Sequence, residues 1–202
     1  MAQMKHTIPG IFLIESSYRS DEQNGLRERY ALEEILLASG RRLQHHYIRT
    51  RKELNELVKE FRDSRFRYLH LACHGSREGI ALTYDTIPFA ELASILAPAM
   101  DGRRLFISAC DSTRSALAIP LFRRSSCYSV VGPRGDIRFH DATMAWALFY
   151  SLMSKANRQA MQQAVIRENL QVVCNVLNLK FQAFFNEDGA AHLHVFRPAS
   201  PR

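Results

Sequence analysis

Two short apolar runs end on residues equipped for nucleophilic chemistry. Tyr68 to Ala72 leads into Cys73, His74 and Gly75, and Leu105 to Ala109 leads into Cys110. A cysteine attacks a carbonyl carbon as the thiolate, so it needs a base; an imidazole, whose ordinary pKa lies near neutrality, can take that proton. His74 and Cys110 stand 36 residues apart, enough for one crossover helix between neighbouring parallel strands. At the C-terminal ends of adjacent strands, both side chains would sit on the rim where open parallel sheets bind ligands. Gly75 lets the chain turn with its amide exposed, and the backbone N–H groups of Gly75 and Cys110 are the obvious donors for a developing oxyanion.

Small Ser108 and Ala109 before Cys110, and polar Asp111 to Ser115 after it, leave this thiol at the rim. Cys73, Cys127 and Cys174 read instead as small core hydrophobes. A metal site built from His70, Cys73, His74 and Cys110 lacks zinc-ligand spacing, so no metal is expected.

The elements that must hold these residues alternate between strand and helix. GIFLI at 10–14 makes a short buried strand, followed by a polar loop from Glu15 to Asn24 and a helix over 26–38 that stops at Ser39-Gly40. A weaker strand covers 45–49. Thr50 with Glu53 then forms a capping box, opening a helix with Leu54, Leu57, Val58 and Phe61 on one face. The strand at 67–73 is followed by a short strand at 80–83, a helix from Pro88 to Leu96, the strand at 105–109, an apolar segment to Phe122 and a strand around 128–131. Residues 142–153 read as a buried helix and 158–178 as a long amphipathic one. Phe181 to Phe185 and His192 to Phe196 flank Asn186-Glu187-Asp188-Gly189, a hairpin signal. This order predicts an α/β fold with a mostly parallel sheet, helices on both faces and a C-terminal hairpin.

The 202 residues suit a single domain, 1–202, and the composition of 47% hydrophobic and 23% charged residues is that of a globular protein. The four cysteines show no disulfide framework, and the N-terminal apolar run, Ile11 to Ile14, is too short for a leader or a membrane span. A cytoplasmic protein without membrane contact is expected. The net charge of +7 comes from scattered basic pairs that read as solvated faces. Neither G-x-G-x-x-G nor a P-loop occurs, so no nucleotide or nucleic-acid partner is expected.

The motif pair HLACHG and LFISAC, with histidine before cysteine and a strand-Asp85-helix segment between them, resembles the CHAT branch of the caspase-like cysteine peptidases. The resemblance runs from about Arg67 to Met153 and includes SVVG followed by a loop and the DATMAWALFYSLM helix. It implies a caspase-hemoglobinase-like three-layer sandwich, a His74–Cys110 dyad, an oxyanion hole at Gly75 and Cys110, and peptide-bond cleavage without metal or cofactor. The chain departs from the family after Val131, where Gly132-Pro133-Arg134-Gly135-Asp136 replaces a tryptophan-containing stretch.

For substrate binding, Asp111 and Asp85 are the acidic candidates for a basic P1 residue, and Arg77 and Arg134 those for an acidic one. Family analogy and the position of Asp111 favour a basic P1. A regulated bacterial-type signalling or defence pathway is the expectation by analogy. Many relatives carry a sensor domain for which these residues leave no room, so a separate regulatory or sensor protein is expected as partner. The competing reading is a catalytically silent caspase-like scaffold that needs a partner.

Overall fold

The computed structural model describes residues 7–156 and 161–199. A seven-stranded sheet in the order β10-β9-β8-β7-β3-β1-β2 forms its centre. Strands β1 (Ile8–Glu15), β2 (Leu43–Tyr47), β3 (Phe66–Ala72), β7 (Arg104–Ser108) and β8 (Ser129–Pro133) are parallel. The hairpin β9 (Phe181–Glu187) and β10 (Ala190–Phe196) closes one edge antiparallel. A small second sheet, β4 (His74–Gly75), β5 (Gly79–Ala81) and β6 (Thr86–Pro88), stands beyond the end of β3.

The pleat sends alternate residues into two separate cores. On one face Phe12, Ile14, Leu69, Leu71, Leu105, Ile107 and Val130 pack under three helices: α3 (Arg51–Asp63), α4 (Phe89–Leu96) and α5 (Ser115–Arg124). On the other face Ile11, Leu13, Tyr68, Phe106 and Val131 meet α2 (Arg29–Ala38), α6 (Phe139–Ala156) and α7 (Gln163–Leu177). Every central strand is buried on both sides, which is why these strands read as unbroken apolar runs. The result is a helix-sheet-helix sandwich.

Phe106 is the keystone of the second core, its ring 5.5 to 6.1 Å from those of Tyr68, Trp146, Phe149 and Tyr150. Phe106→Ala is expected to cost about 3–5 kcal/mol of stability. Urea denaturation followed by Trp146, the chain's single tryptophan, checks this, because that indole lies in the same cluster.

The Thr50 capping box is formed, with the Glu53 N–H donating to Thr50 Oγ1 at 3.3 Å and the Thr50 N–H donating to Glu53 Oε2 at 2.8 Å. Three differences from the sequence reading are physical. The loop after β1 holds a short helix, α1 (Arg19–Gln23), where polar composition pointed to irregular chain. The apolar segment after Cys110 is the full helix α5, although Pro120 removes one of its internal hydrogen bonds; burial of Leu117, Ala118, Leu121 and Phe122 outweighs that loss. The long helix expected over 158–178 is seen over Gln163–Leu177, and residues 158–160 lie outside the described ones.

Candidate active site

The parallel pairing of β3 with β7 aligns Ala72 with Ser108. Two residues further along each chain stand His74 and Cys110, so strand register alone carries both to the same rim. A hydrogen bond from the Cys73 N–H to the Ser108 carbonyl, 3.0 Å, holds the strand ends together as the chains leave the sheet. Both residues line one cavity of about 130 Å³, together with Glu15, Asp21, Leu26, Glu28, Ala109, Ile137 and Phe139.

Gly75 lies directly against the backbone of Cys110. A Cβ at this position would come within 2.4 Å of the Cys110 carbonyl oxygen and 3.2 Å of its nitrogen, so a glycine is required here by close approach and not by torsion. The Ser76 N–H donates to the Gly79 carbonyl at 2.9 Å, which makes Ser76 and Gly79 a bonded pair of the β4–β5 ladder. By antiparallel alternation the next pair, Gly75 and Ile80, is the non-bonded kind, and the Gly75 N–H points away from β5. The Cys110 N–H likewise meets no acceptor among the described residues. Two neighbouring amides are thus left uncommitted beside the thiol.

The histidine has supports that the sequence did not disclose. Its Nε2 lies 2.7 Å from Asp21 Oδ2, and the Tyr18 ring stacks on the imidazole at 3.9 Å and 8°. Both come from the segment after β1 that read as a plain polar loop. Spacing could not reveal them, because Asp21 and His74 are 53 positions apart. The Cys110 thiol is half-buried and sits against the backbone of Ile137, donating to its carbonyl and accepting from its N–H, each at 3.4 Å. Burial pushes the other thiols up, Cys127 to about 12 and Cys174 to about 11, and Cys73 higher still.

After Cys110 the chain turns sharply. Asp111 adopts φ 48°, a left-handed conformation that aspartate tolerates better than most residues. Its N–H donates to the Gly135 carbonyl at 2.9 Å. Gly132 makes this closure possible, since a Cβ there would fall 2.3 Å from Thr113 Oγ1 and 2.5 Å from the Ile107 carbonyl oxygen.

The expected substrate-binding residues are placed differently. The Asp111 carboxylate is nearly buried and is held by Arg114 and by Arg77 Nε at 3.1 Å, which turns it away from the cavity beside Cys110. Asp85 accepts from the Arg51 N–H at 2.6 Å, at the start of α3, and lines no part of that cavity. The carboxylates that do line it belong to Glu15, Asp21 and Glu28. Glu15 accepts from the Glu28 N–H at 2.5 Å and pairs with His45 at 3.0 Å. Glu28 Oε1 is buried without an aligned hydrogen bond, 3.4 Å from His70 Nε2, and His70 Nδ1 in turn meets the Tyr150 hydroxyl at 2.7 Å. His70 is therefore a buried residue behind the cavity, and its approach to Glu28 was not legible in the strand pattern.

This sheet order and helix layering define a caspase-like fold, and comparison with solved structures agrees. A secreted C11 cysteine protease from Bacteroides thetaiotaomicron, iotapain, superposes with a TM-score of 0.56 at 9% identity, covering 89% of this chain and 66% of that one. A second structure of a secreted C11 cysteine protease from the same organism, in complex with an irreversible peptide inhibitor, gives 0.59 at 8% identity with the same coverage. At these identities the likeness is one of fold, and the chain spans about two thirds of the neighbours' length. No known family's sequence profile matches the chain, and no curated protein matches it.

Proposed function

We propose that residues 1–202 act as one caspase-like peptidase domain, a cysteine endopeptidase with Cys110 as nucleophile and His74 as base. The observation that carries this reading is the convergence, at one rim cavity, of a half-buried thiol, an anchored imidazole and two uncommitted backbone amides. With Nε2 engaged by Asp21, Nδ1 of His74 is the nitrogen left to take the thiol proton. The thiolate attacks the scissile carbonyl carbon, and the oxyanion accepts from the Gly75 and Cys110 N–H groups. Collapse breaks the C–N bond, the amine leaves with the proton held on His74, and water then hydrolyses the thioester, with the imidazole as base. Closer approach of imidazole and sulfur on substrate binding is ordinary for such pairs, whose contacts tighten in the loaded enzyme.

A basic P1 residue fits the site through carboxylates other than those expected. Glu28 offers a buried, unbonded oxygen among the residues lining the cavity, and a cationic side chain would satisfy it. Glu28→Gln is expected to lower kcat/KM for arginine and lysine P1 peptides on the order of tenfold or more while sparing uncharged ones. A P1-varied fluorogenic series measures it. Asp21→Asn should lower kcat by about tenfold, since it loosens the imidazole that the Asp21 carboxylate holds at 2.7 Å; steady-state kinetics on one peptide measures it.

The motif pair HLACHG and LFISAC favours the CHAT branch among caspase-like peptidases. It also favours a regulated role in bacterial-type signalling or defence with a separate sensor protein as partner. Cytoplasmic action is the matching compartment, since the four cysteines are free thiols. Treatment with a peptide chloromethyl ketone bearing a P1 arginine, followed by peptide mapping, tests the core of this reading. The adduct is expected on Cys110, and labelling of another cysteine alone overturns it. A protein that folds and binds a partner yet resists this reagent would instead be the silent scaffold.

A further inference from the structure

A second cleft, of about 590 Å³, shares no lining residue with the first cavity. It takes in Asp111, the residue after Cys110, and its other charged residues are all cationic: Arg77, Arg114, Arg134, Lys180 and Arg197, beside neutral Ser115 and Gln182. Asp111 is the single carboxylate among the lining residues and engages only Arg77 and Arg114. Arg134, Lys180 and Arg197 are exposed, and no carboxylate pairs with them among the described residues. The N-terminus of α5, at Ser115, faces the same space and adds partial positive charge.

Such a concentration of like charge is unfavourable in the empty protein and is relieved by an anionic occupant. The cations come from five separate places in the chain and surround a groove, an arrangement suited to an extended polyanion more than to one small ion. The floor is supplied by Phe184 and Leu193. Phe184 is buried and no exposed aromatic ring lines the cleft, so the stacking platform typical of single-stranded nucleic-acid sites is missing. Asp111, next in the chain to Cys110, lines the cleft, and this nearness to the thiol points to the polypeptide being cleaved.

We propose that this cleft receives an acidic stretch of the substrate polypeptide, on the side of the scissile bond opposite the residue that enters the Glu28 cavity. The nucleophile then lies between an acidic recess and a basic groove, and substrate charge fixes the direction in which the peptide lies. The inference rests on the reading of Cys110 as nucleophile, but its test needs no turnover.

The experiment uses the Cys110→Ala protein and a fluorescein-labelled decapeptide rich in glutamate, a glutamine-matched control and a labelled oligo-dT, read by fluorescence anisotropy. The glutamate peptide is expected to bind on the order of tenfold tighter than the glutamine one, with the gap closing at about 0.5 M salt. Arg134→Glu, Lys180→Glu and Arg197→Glu combined should abolish the gap, and the triple alanine variant should narrow it, with circular dichroism verifying the fold. Equal affinity for the two peptides, a gap that survives the triple reversal, or tighter binding of oligo-dT overturns the proposal. Failure of the wild-type protein to cleave any peptide would count against Cys110 chemistry and would leave this binding result to stand or fall by itself.

Discussion

Cys110→Ala is expected to reduce peptide cleavage by a factor on the order of 10³ or more, to the level of the oxyanion donors and binding alone. The size follows from losing the group that would form the covalent intermediate, while the sulfur's hydrogen bonds run to the backbone of Ile137. The fold should be unharmed, because Cys110 lies beyond the end of β7 and belongs to neither core. The same chemistry predicts which thiol reacts first. Cys127 and Cys174 are buried, and Cys73, half-buried in the wall of the same cavity, has its thiol held up by desolvation, so iodoacetamide at neutral pH should label Cys110 ahead of them. Wild-type turnover in the alanine variant, or faster labelling at one of the other three, would sink the assignment.

Gly75→Ala is expected to cost about 10²- to 10³-fold in kcat, comparable with the loss of an oxyanion-hole donor. The added methyl cannot be placed 2.4 Å from the Cys110 carbonyl oxygen, a backbone atom with little freedom to move. β4 must therefore move off the nucleophile loop, which separates the two amides and displaces the neighbouring His74. Steric damage and general unfolding are distinguishable here: the thermal midpoint should fall only modestly, and Cys110 should stay alkylatable. A variant with normal kcat would mean that the Gly75 amide does not serve the reaction.

How far the residue order foretold this arrangement varies with the kind of information required. Apolar runs at 10–14, 67–73 and 105–109 could only be doubly buried strands, and the Thr50–Glu53 pair marked its helix start to the residue. Local signals of this type survive folding because burial and capping act within a few positions. That His74 and Cys110 reach one rim was also accessible, since both follow strand ends that parallel pairing brings into line. Asp21, Tyr18 and Glu28 were not. Asp21 and Tyr18 belong to a segment whose polar composition matches any surface loop, Glu28 to the start of an expected helix, and each acquires its partner across more than 40 residues. The setting of Asp111 was hidden for the same reason: adjacency to Cys110 in sequence concealed a left-handed turn that directs its carboxylate to Arg77 and Arg114.

The stretch between β1 and α2 supplies Tyr18 and Asp21 to the imidazole, and Leu26 and Glu28 to the cavity wall. One contiguous piece of surface chain thus both orients the His74 imidazole and shapes the recess. A single protease nick there would loosen the imidazole and open the recess together, whereas an insertion there could reshape both without disturbing either core. Switching off and diversifying this protein therefore share one address.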